Sequence, residues 1–197
     1  FLIIEDFGDE RIYERVMRGE DPQTFYEAAV DVSIALNQAD PAVALEGASS
    51  YTDAYWLFRV MTAADHYWPR ATGAEMPSDD RQEFEALWRD QLLPQVHTLP
   101  EVLLHGDFEA QNLYYFPEAE GLARCGLIDF QDLTDGRSNA KGSPAFDLVF
   151  LLQHVRLDLP RELEERMKAK FLSATGYDTE IFEREYAIIG AAQATKC

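Results

Sequence analysis

Cysteine and long hydrophobic runs are what this sequence most clearly lacks. It has 2 cysteines, Cys125 and Cys197, in 197 residues, which is too few for a disulfide framework. No run of about 18 apolar residues occurs, so we expect no membrane-spanning helix. No signal-peptide pattern is visible at the amino terminus. Together these absences favour a reducing, cytoplasmic location and exclude a membrane partner.

Positive charge is also scarce. There are 17 Lys and Arg residues against 36 Asp and Glu, giving a net charge of -19. A surface this acidic repels phosphate backbones, so we expect no nucleic-acid partner. The acidic surplus is typical of a solvated surface, and it is also compatible with attraction of a cationic substrate.

Apolar residues are plentiful enough for a sizeable core. The hydrophobic share is 47%, with 12 Phe, 9 Tyr and 3 Trp residues. This length suits one domain, or one large lobe of a two-lobed protein. The chain begins inside an apolar run at Phe1 and ends within a helical pattern. We therefore expect both ends to be cuts in a longer protein.

Helical periodicity dominates most of the chain. Asp21 is the predicted N-cap of a helix in which Phe25, Ala29, Val32 and Leu36 share one face. The other helices are predicted at 10–18, at 52–68 with Trp56, Val60 and Ala64 buried, from a Ser78 cap with Phe84, Leu87, Trp88 and Leu92 buried, at 146–156, at 160–175, and from Thr179 onward. Trp68 is also predicted to lie in the core, as are Trp56 and Trp88. The pattern predicts an α+β protein that is mostly α.

Short apolar runs surround a cluster of polar residues between 102 and 130. The runs 102–104, 113–116 and 125–128 read as strands, whereas 134–144 is predicted to be a mobile, substrate-facing loop. Asp107 and Asn112 lie between the first two strands, and Asp129 follows the third. Phosphoryl transfer needs a carboxylate to orient a hydroxyl and oxygen ligands for Mg²⁺. Asp107 suits the first role, and Asn112 and Asp129 suit the second.

These residues carry a resemblance to a known family. The sequence His105-Gly106-Asp107, with Asn112 and then Ile128-Asp129-Phe130, resembles the aminoglycoside phosphotransferase and choline kinase family, which has a kinase-like fold. The run 128–132, with the apolar run 146–152 after it, is most similar to the bacterial N-acetylmuramate/N-acetylglucosamine kinases.

The resemblance implies a role for each of these positions. Asp107 would be the catalytic base, and Asn112 and Asp129 would bind Mg²⁺. The hinge backbone at Ile4, Glu5, Asp6 and Phe7 would contact the adenine of ATP. Asp147 would brace the catalytic loop, and His105 would be structural.

The resemblance also implies a domain arrangement. Residues 1–9 would be the end of an N-terminal lobe and the hinge, and 10–197 the helical C-terminal lobe of a protein-kinase-like fold. The N-terminal lobe, with its nucleotide-binding lysine, would be absent from this chain, because the first lysine is Lys141.

The predicted function is ATP-dependent phosphoryl transfer to a hydroxyl of a small molecule, with an amino sugar favoured. The alternatives are a kinase for an aminoglycoside or another amine-alcohol, and a non-catalytic binding module of the same fold. Gln131 in place of a glycine and the length of 134–144 put the substrate contacts of the amino-sugar kinases in question. The sequence leaves the oligomeric state open.

Several other polar residues have weaker claims to a role. Glu109 and Asp132 are more consistent with solvated or capping positions than with metal ligation. For Asp135 and Arg137, substrate contact and simple loop solvation are equally open. The remaining histidines lack partner spacing for a metal or acid–base site: His66, His97 and His154. Cys125 is predicted to be a buried hydrophobic residue.

Overall fold

The structure is a computed structural model that describes residues 6–129, 140–154 and 156–195. Helices account for most of the described residues, which agrees with the predicted class. They are α1 (Ile12–Met17), α2 (Gln23–Asn37), α3 (Pro41–Ala44), α4 (Asp53–Thr62), α5 (Trp68–Thr72), α6 (Ser78–Ala86), α7 (Phe146–Leu152), α8 (Arg161–Thr175) and α9 (Thr179–Ala194). No helix among these residues is long and apolar enough to cross a membrane.

Helix α2 shows how periodicity selects the buried face. Phe25, Ala29 and Val32 are buried as predicted, and α2 packs along α8. The helix begins later than predicted, because Pro22 and not Asp21 is the N-cap. The Asp21 carboxylate nevertheless accepts a hydrogen bond from Gln23 N at 3.0 Å. It therefore satisfies one of the free N–H groups of the first turn.

Residues 53–95 form a long helical hairpin. Its first arm begins at the Thr52 cap and runs from α4 through a π-helical segment (Ala63–Tyr67) into α5. Its second arm runs from α6 into a second π-helical segment (Leu87–Leu92) and a 3₁₀ turn (Leu93–Gln95). Arg81 Nε lies 3.0 Å from the Asp65 carboxylate and joins the two arms.

Three predictions fail in this hairpin. Leu87 is 40% exposed and Trp68 is 36% exposed, although both were predicted to be buried. Trp68 follows the first π-helical segment, whose wider turn rotates the side chains after it away from the α-helical face. Leu87 is the first residue of the second π-helical segment, and its neighbour Trp88 takes the buried position. Ser78 is the first helical residue and makes no capping hydrogen bond, and Pro77 is the N-cap.

A three-stranded sheet lies at the base of the hairpin. Its strands are β1 (Ser49–Ser50), β2 (Val102–Leu104) and β5 (Ala140–Gly142), in the order β1-β5-β2. Strand β5 pairs parallel with β1 and antiparallel with β2. The prediction of a loop over 134–144 is therefore wrong at 140–142, where alternating burial and two strand partners make a strand. Residues 143–144 do lie outside any strand or helix, but they are buried and so are not a substrate-facing loop. The rest of that prediction, at 134–139, lies outside the described residues.

A second sheet is a hairpin of β3 (Leu113–Tyr115) and β4 (Cys125–Leu127), which are antiparallel. Helix α7 is buried along its whole length, and its contacts are mainly with α9 and α2. It ends at Leu152 and not at Arg156 as predicted. The core therefore surrounds α7, between the two sheets and the long helices α2 and α9.

Candidate active site

The segment that joins β2 to β3, residues 105–112, is held by a buried carboxylate of α7. We call this segment the Asp–Asn loop. His105 N donates to Asp147 Oδ2 at 2.7 Å, and Gly106 N donates to Asp147 Oδ1 at 3.0 Å. Asp147 is 1% exposed, and burial raises its pKa to about 7. Both oxygens of this carboxylate are thus used to fix the first two residues of the loop.

Gly106 has a positive φ of +88°, a conformation that glycine adopts without strain. A Cβ at this position would also lie 2.8 Å from the Tyr51 hydroxyl oxygen. The loop therefore turns sharply against Tyr51, immediately before Asp107.

His105 connects the loop to the end of β4. Asp107 N donates to His105 Nδ1 at 3.3 Å, so the proton of the neutral ring lies on Nε2. Nε2 then donates to the carbonyl oxygen of Ile128 at 3.1 Å. Burial lowers the pKa of His105, which favours this neutral form. These contacts are those of a structural residue.

Asn112 fixes the orientation of Asp107. Its Nδ2 donates to Asp107 Oδ2 at 2.8 Å and to Asp107 O at 2.9 Å. A short 3₁₀ turn (Ala110–Asn112) brings the two residues together, and Asn112 is buried. Because both Nδ2 protons are used, Oδ1 is the atom that Asn112 has left to offer a cation.

The hairpin of β3 and β4 brings Asp129 next to Asn112. Leu113 pairs with Leu127, and one step further Ile128 N donates to Asn112 O at 3.0 Å. Asp129 follows immediately and is exposed, with φ +62°. It is the one residue other than glycine with a positive φ in the described part of the chain. Such strain is concentrated at functional sites.

The donor set of this region fits Mg²⁺. Within the described residues, no three His, Cys, Asp or Glu side chains cluster closely enough to form a metal site by themselves. Mg²⁺ usually takes one or two protein oxygens, and substrate phosphates and water complete its shell. The amide oxygen of Asn112 and the carboxylate of Asp129 are a set of that kind.

The predicted hinge is described in part. Ile4 and Glu5 lie outside the described residues. Asp6 Oδ1 accepts a hydrogen bond from Gly8 N at 2.8 Å. The ring of Phe7 packs edge-on against Phe116, with a centroid distance of 5.3 Å, and covers Gly126 of β4. The Phe7 side chain is thus anchored on the hairpin that connects Asn112 to Asp129.

A contact that the sequence did not predict joins the Asp–Asn loop to the end of α7. His154 Nε2 contacts the Glu109 carboxylate, and Arg156 Nη1 donates to Gln111 Oε1 at 3.0 Å. The Glu109 carboxylate therefore has a protein partner and is not simply solvated. Partners separated by 45 residues, as Gln111 and Arg156 are, give no local pattern that could reveal them.

A second unpredicted feature is Glu185 of α9, which is fully buried. Phe182 and Ile189, three positions before it and four after it, are also buried. An acidic residue on the apolar face of a helix was the available signal. The candidates Phe130, Gln131, Asp132, Asp135 and Arg137 lie outside the described residues.

The mostly helical fold, the Asp–Asn loop and the strained Asp129 together define a kinase-like class of protein. Residues 1–184 match the sequence model of the phosphotransferase enzyme family. The chain belongs to this family, and the resemblance seen in the sequence is confirmed.

Two comparisons place the chain more closely. It is 29% identical over 195 residues to the N-acetylmuramate/N-acetylglucosamine kinase of Caulobacter vibrioides, covering 96% of this chain and 52% of that protein. A solved structure of a GDP complex of wild-type aminoglycoside 2'-phosphotransferase-IIIa shares the fold, with a TM-score of 0.60 and 14% identity. That match covers 96% of this chain and 60% of the solved one. The chain thus spans somewhat more than half the length of these relatives.

Proposed function

We propose that the protein carrying this chain transfers the γ-phosphoryl group of ATP to a hydroxyl of a small molecule, with an amino sugar as the acceptor. Membership of the phosphotransferase enzyme family supports the reaction. The name of the Caulobacter vibrioides relative supports the acceptor class. The observation that carries the proposal is the double hydrogen bond from Asn112 Nδ2 to Asp107, which orients the Asp107 carboxylate.

Asp107 is the proposed catalytic base. It accepts the proton of the attacking hydroxyl as the new oxygen–phosphorus bond forms and the bond to the ADP oxygen breaks. Such catalysis depends on position, and a group held in the correct orientation lowers the barrier without moving. The contacts of Asn112 with the side chain and the main chain of Asp107 supply that orientation.

Asn112 Oδ1 and the Asp129 carboxylate are the proposed ligands of Mg²⁺, which would neutralise phosphate charge when bound with the nucleotide. The backbone of Ile4, Glu5, Asp6 and Phe7 is proposed to contact adenine. The packing of Phe7 on the β3–β4 hairpin supports this arrangement for the described part of the segment. Residues 10–197 would then be the C-terminal lobe, and 1–9 the end of the N-terminal lobe and the hinge.

A second acceptor class has one observation in its favour. The net charge of -19 would attract a cationic substrate such as an aminoglycoside. The shared fold with an aminoglycoside phosphotransferase does not add to this, because one fold supports several acceptors.

The test measures ADP or GDP release by the protein that carries this chain. ATP and GTP would each be offered with N-acetylmuramate, N-acetylglucosamine and an aminoglycoside. We expect turnover with ATP and an amino sugar, and we expect Asp107→Asn to lower kcat by about 10²–10⁴-fold. Asp90→Asn is the matched control, because it removes the same charge from an exposed residue of the helical hairpin.

Three results would contradict the proposal. Asp107→Asn could retain the turnover of the control, the aminoglycoside alone could be phosphorylated, or GTP could replace ATP. The absence of turnover together with the absence of Mg²⁺-dependent nucleotide binding would instead favour a non-catalytic module.

A further inference from the structure

Glu185 is a buried carboxylate that joins two segments distant from it in sequence. Its Oε1 accepts hydrogen bonds from Thr98 N at 2.9 Å and from Leu99 N at 2.8 Å. Its Oε2 accepts a hydrogen bond from the Ser143 hydroxyl. Glu185 is 0% exposed, and burial raises its pKa. Its position therefore costs stability unless those hydrogen bonds compensate.

The two segments that Glu185 joins lead to the two partners of one contact, which are the Asp–Asn loop and Asp147 of α7. The turn at Thr98 and Leu99 continues into β2 and then into the Asp–Asn loop. Ser143 opens the turn into α7, where its Oγ accepts from Ala145 N at 3.2 Å. Helix α7 carries Asp147, which holds the amides of His105 and Gly106.

The strands do not fix this geometry alone. Strands β2 and β5 are three residues each, and Val102 pairs with Gly142 immediately before Ser143. So short a ladder offers only a few backbone hydrogen bonds to hold the two segments together. Glu185 lies beyond the Val102–Gly142 end of the ladder, and Asp147 grips the residues that leave the other end of β2. The two carboxylates thus hold the same pair of segments at opposite ends.

We propose that Glu185 is a positioning residue for phosphoryl transfer, which holds α7 and β2 in the register that lets Asp147 place Asp107. The inference rests on the proposed function for its catalytic consequence. The structural consequence of the inference does not depend on the proposed function. Loss of Glu185 should weaken the hydrogen bonds between Asp147 and the Asp–Asn loop, whether or not the protein transfers phosphate. A displacement of about 1 Å at a reacting group can lower a rate by about 100-fold.

Three variants separate positioning from simple stability. Glu185→Ala removes all three hydrogen bonds, and Ser143→Ala removes the hydrogen bond to Glu185 together with the acceptor of Ala145 N at the start of α7. Glu185→Gln keeps an oxygen for Thr98 N and Leu99 N and can donate its amide to Ser143 Oγ, so it is the conservative variant. Tyr186→Phe is the matched control, because it removes a hydrogen bond from the neighbouring residue of α9 to Glu164, away from both segments.

The experiment combines steady-state kinetics with amide hydrogen exchange on the full protein. We expect Glu185→Ala and Ser143→Ala to lower kcat by about tenfold or more with little change in KM, as for an effect confined to the transition state. Glu185→Gln should recover most of kcat, and Tyr186→Phe should leave it unchanged. The amides of His105 and Gly106 should exchange faster in Glu185→Ala and Ser143→Ala than in Tyr186→Phe.

Hydrogen exchange decides the inference separately from the proposed function. If those two amides exchange in Glu185→Ala and Ser143→Ala as they do in Tyr186→Phe, the positioning role is refuted, whatever the activity. If exchange responds and the wild-type protein turns over, but kcat does not fall, the catalytic part is refuted. If exchange responds and the wild-type protein transfers no phosphate, the proposed function fails while the structural coupling stands. Should Glu185→Ala not fold, Ser143→Ala decides by the same criteria.

Discussion

Replacing Asp147 by asparagine keeps the size and shape of the side chain but removes its charge. The carboxylate accepts hydrogen bonds from both His105 N and Gly106 N. Asparagine has one acceptor oxygen, so one of these N–H groups would face an NH₂ group. An unsatisfied buried N–H costs about 1–3 kcal/mol, and Asp147 itself is 1% exposed. Under acidic conditions wild-type Asp147 is a neutral carboxylic acid, whose second oxygen can still accept an N–H, whereas the NH₂ group of asparagine cannot. We therefore expect the variant to be the less stable protein in acid.

The charge has the opposite effect as the pH rises. Burial raises the pKa of folded Asp147 to about 7, against an ordinary value of 3.8 in the unfolded chain, and Asp107 adds to the increase. Between these two pKa values the folded protein keeps a proton that the unfolded chain has lost. The free energy of unfolding therefore falls as the pH rises through this range. At a pH above the pKa of folded Asp147, this loss in the free energy of unfolding is about 4 kcal/mol. At a pH below the pKa of the unfolded chain there is no loss.

The stability difference between wild type and Asp147→Asn should therefore shrink, or change sign, as the pH rises from about 5 to about 8. Urea unfolding of both proteins across this range measures it. The lowered pKa of His105 makes stability fall as the pH decreases, but this contribution is common to both proteins and cancels in the difference. A difference that stays constant with pH would refute the account of Asp147.

Val149→Ala is the control, because it removes two buried methyl groups from the same helix and should cost about 2 kcal/mol at every pH.

Two glycine substitutions test the local geometry of the site. Gly106→Ala should cost about 1–2 kcal/mol for its positive φ, plus the clash with the Tyr51 hydroxyl, and Tyr51→Phe should relieve only the second part in urea unfolding. Full rescue by Tyr51→Phe would show that φ is not a constraint. Gly126→Ala should cost about 1–3 kcal/mol, because its Cβ would lie 2.7 Å from the Phe116 ring and 3.0 Å from that of Phe7. An unchanged thermal midpoint for Gly126→Ala would contradict the close packing of Phe7 on β4.

Local periodicity predicted the helices well where they are regular. Trp56 and Val60 of α4 recur at α-helical spacing, and both are buried as predicted. The prediction failed at Leu87, and it failed at Trp68 because the π turn before that residue changes the spacing without a sequence signal that we recognise. Regular patterns can be read from sequence because each residue is judged against neighbours one turn away.

For the site too, only the contacts between residues close in sequence could be predicted. Asp107, Asn112 and Asp129 lie within one strand–loop–hairpin unit, so their proximity followed from the strands between them. The contact of His105 with Asp147 spans 42 residues, and that of Leu99 with Glu185 spans 86. Asp147 was assigned a bracing role only through the family resemblance, and Glu185 was not assigned one at all. Contacts at this range are set by the packing of whole helices, which no local pattern encodes.

The two buried carboxylates suggest why such contacts are kept. Burial raises the pKa of Asp147 and of Glu185, so the folded protein disfavours the charged form of both side chains. Each also accepts two backbone N–H groups from the chain that enters or forms the Asp–Asn loop. An apolar side chain of similar size would avoid the desolvation cost, but it would leave those N–H groups without acceptors and the loop without fixed points. The hydrogen bonds to those N–H groups therefore offset the desolvation cost, and under the proposed function they would also hold Asp107 in one position.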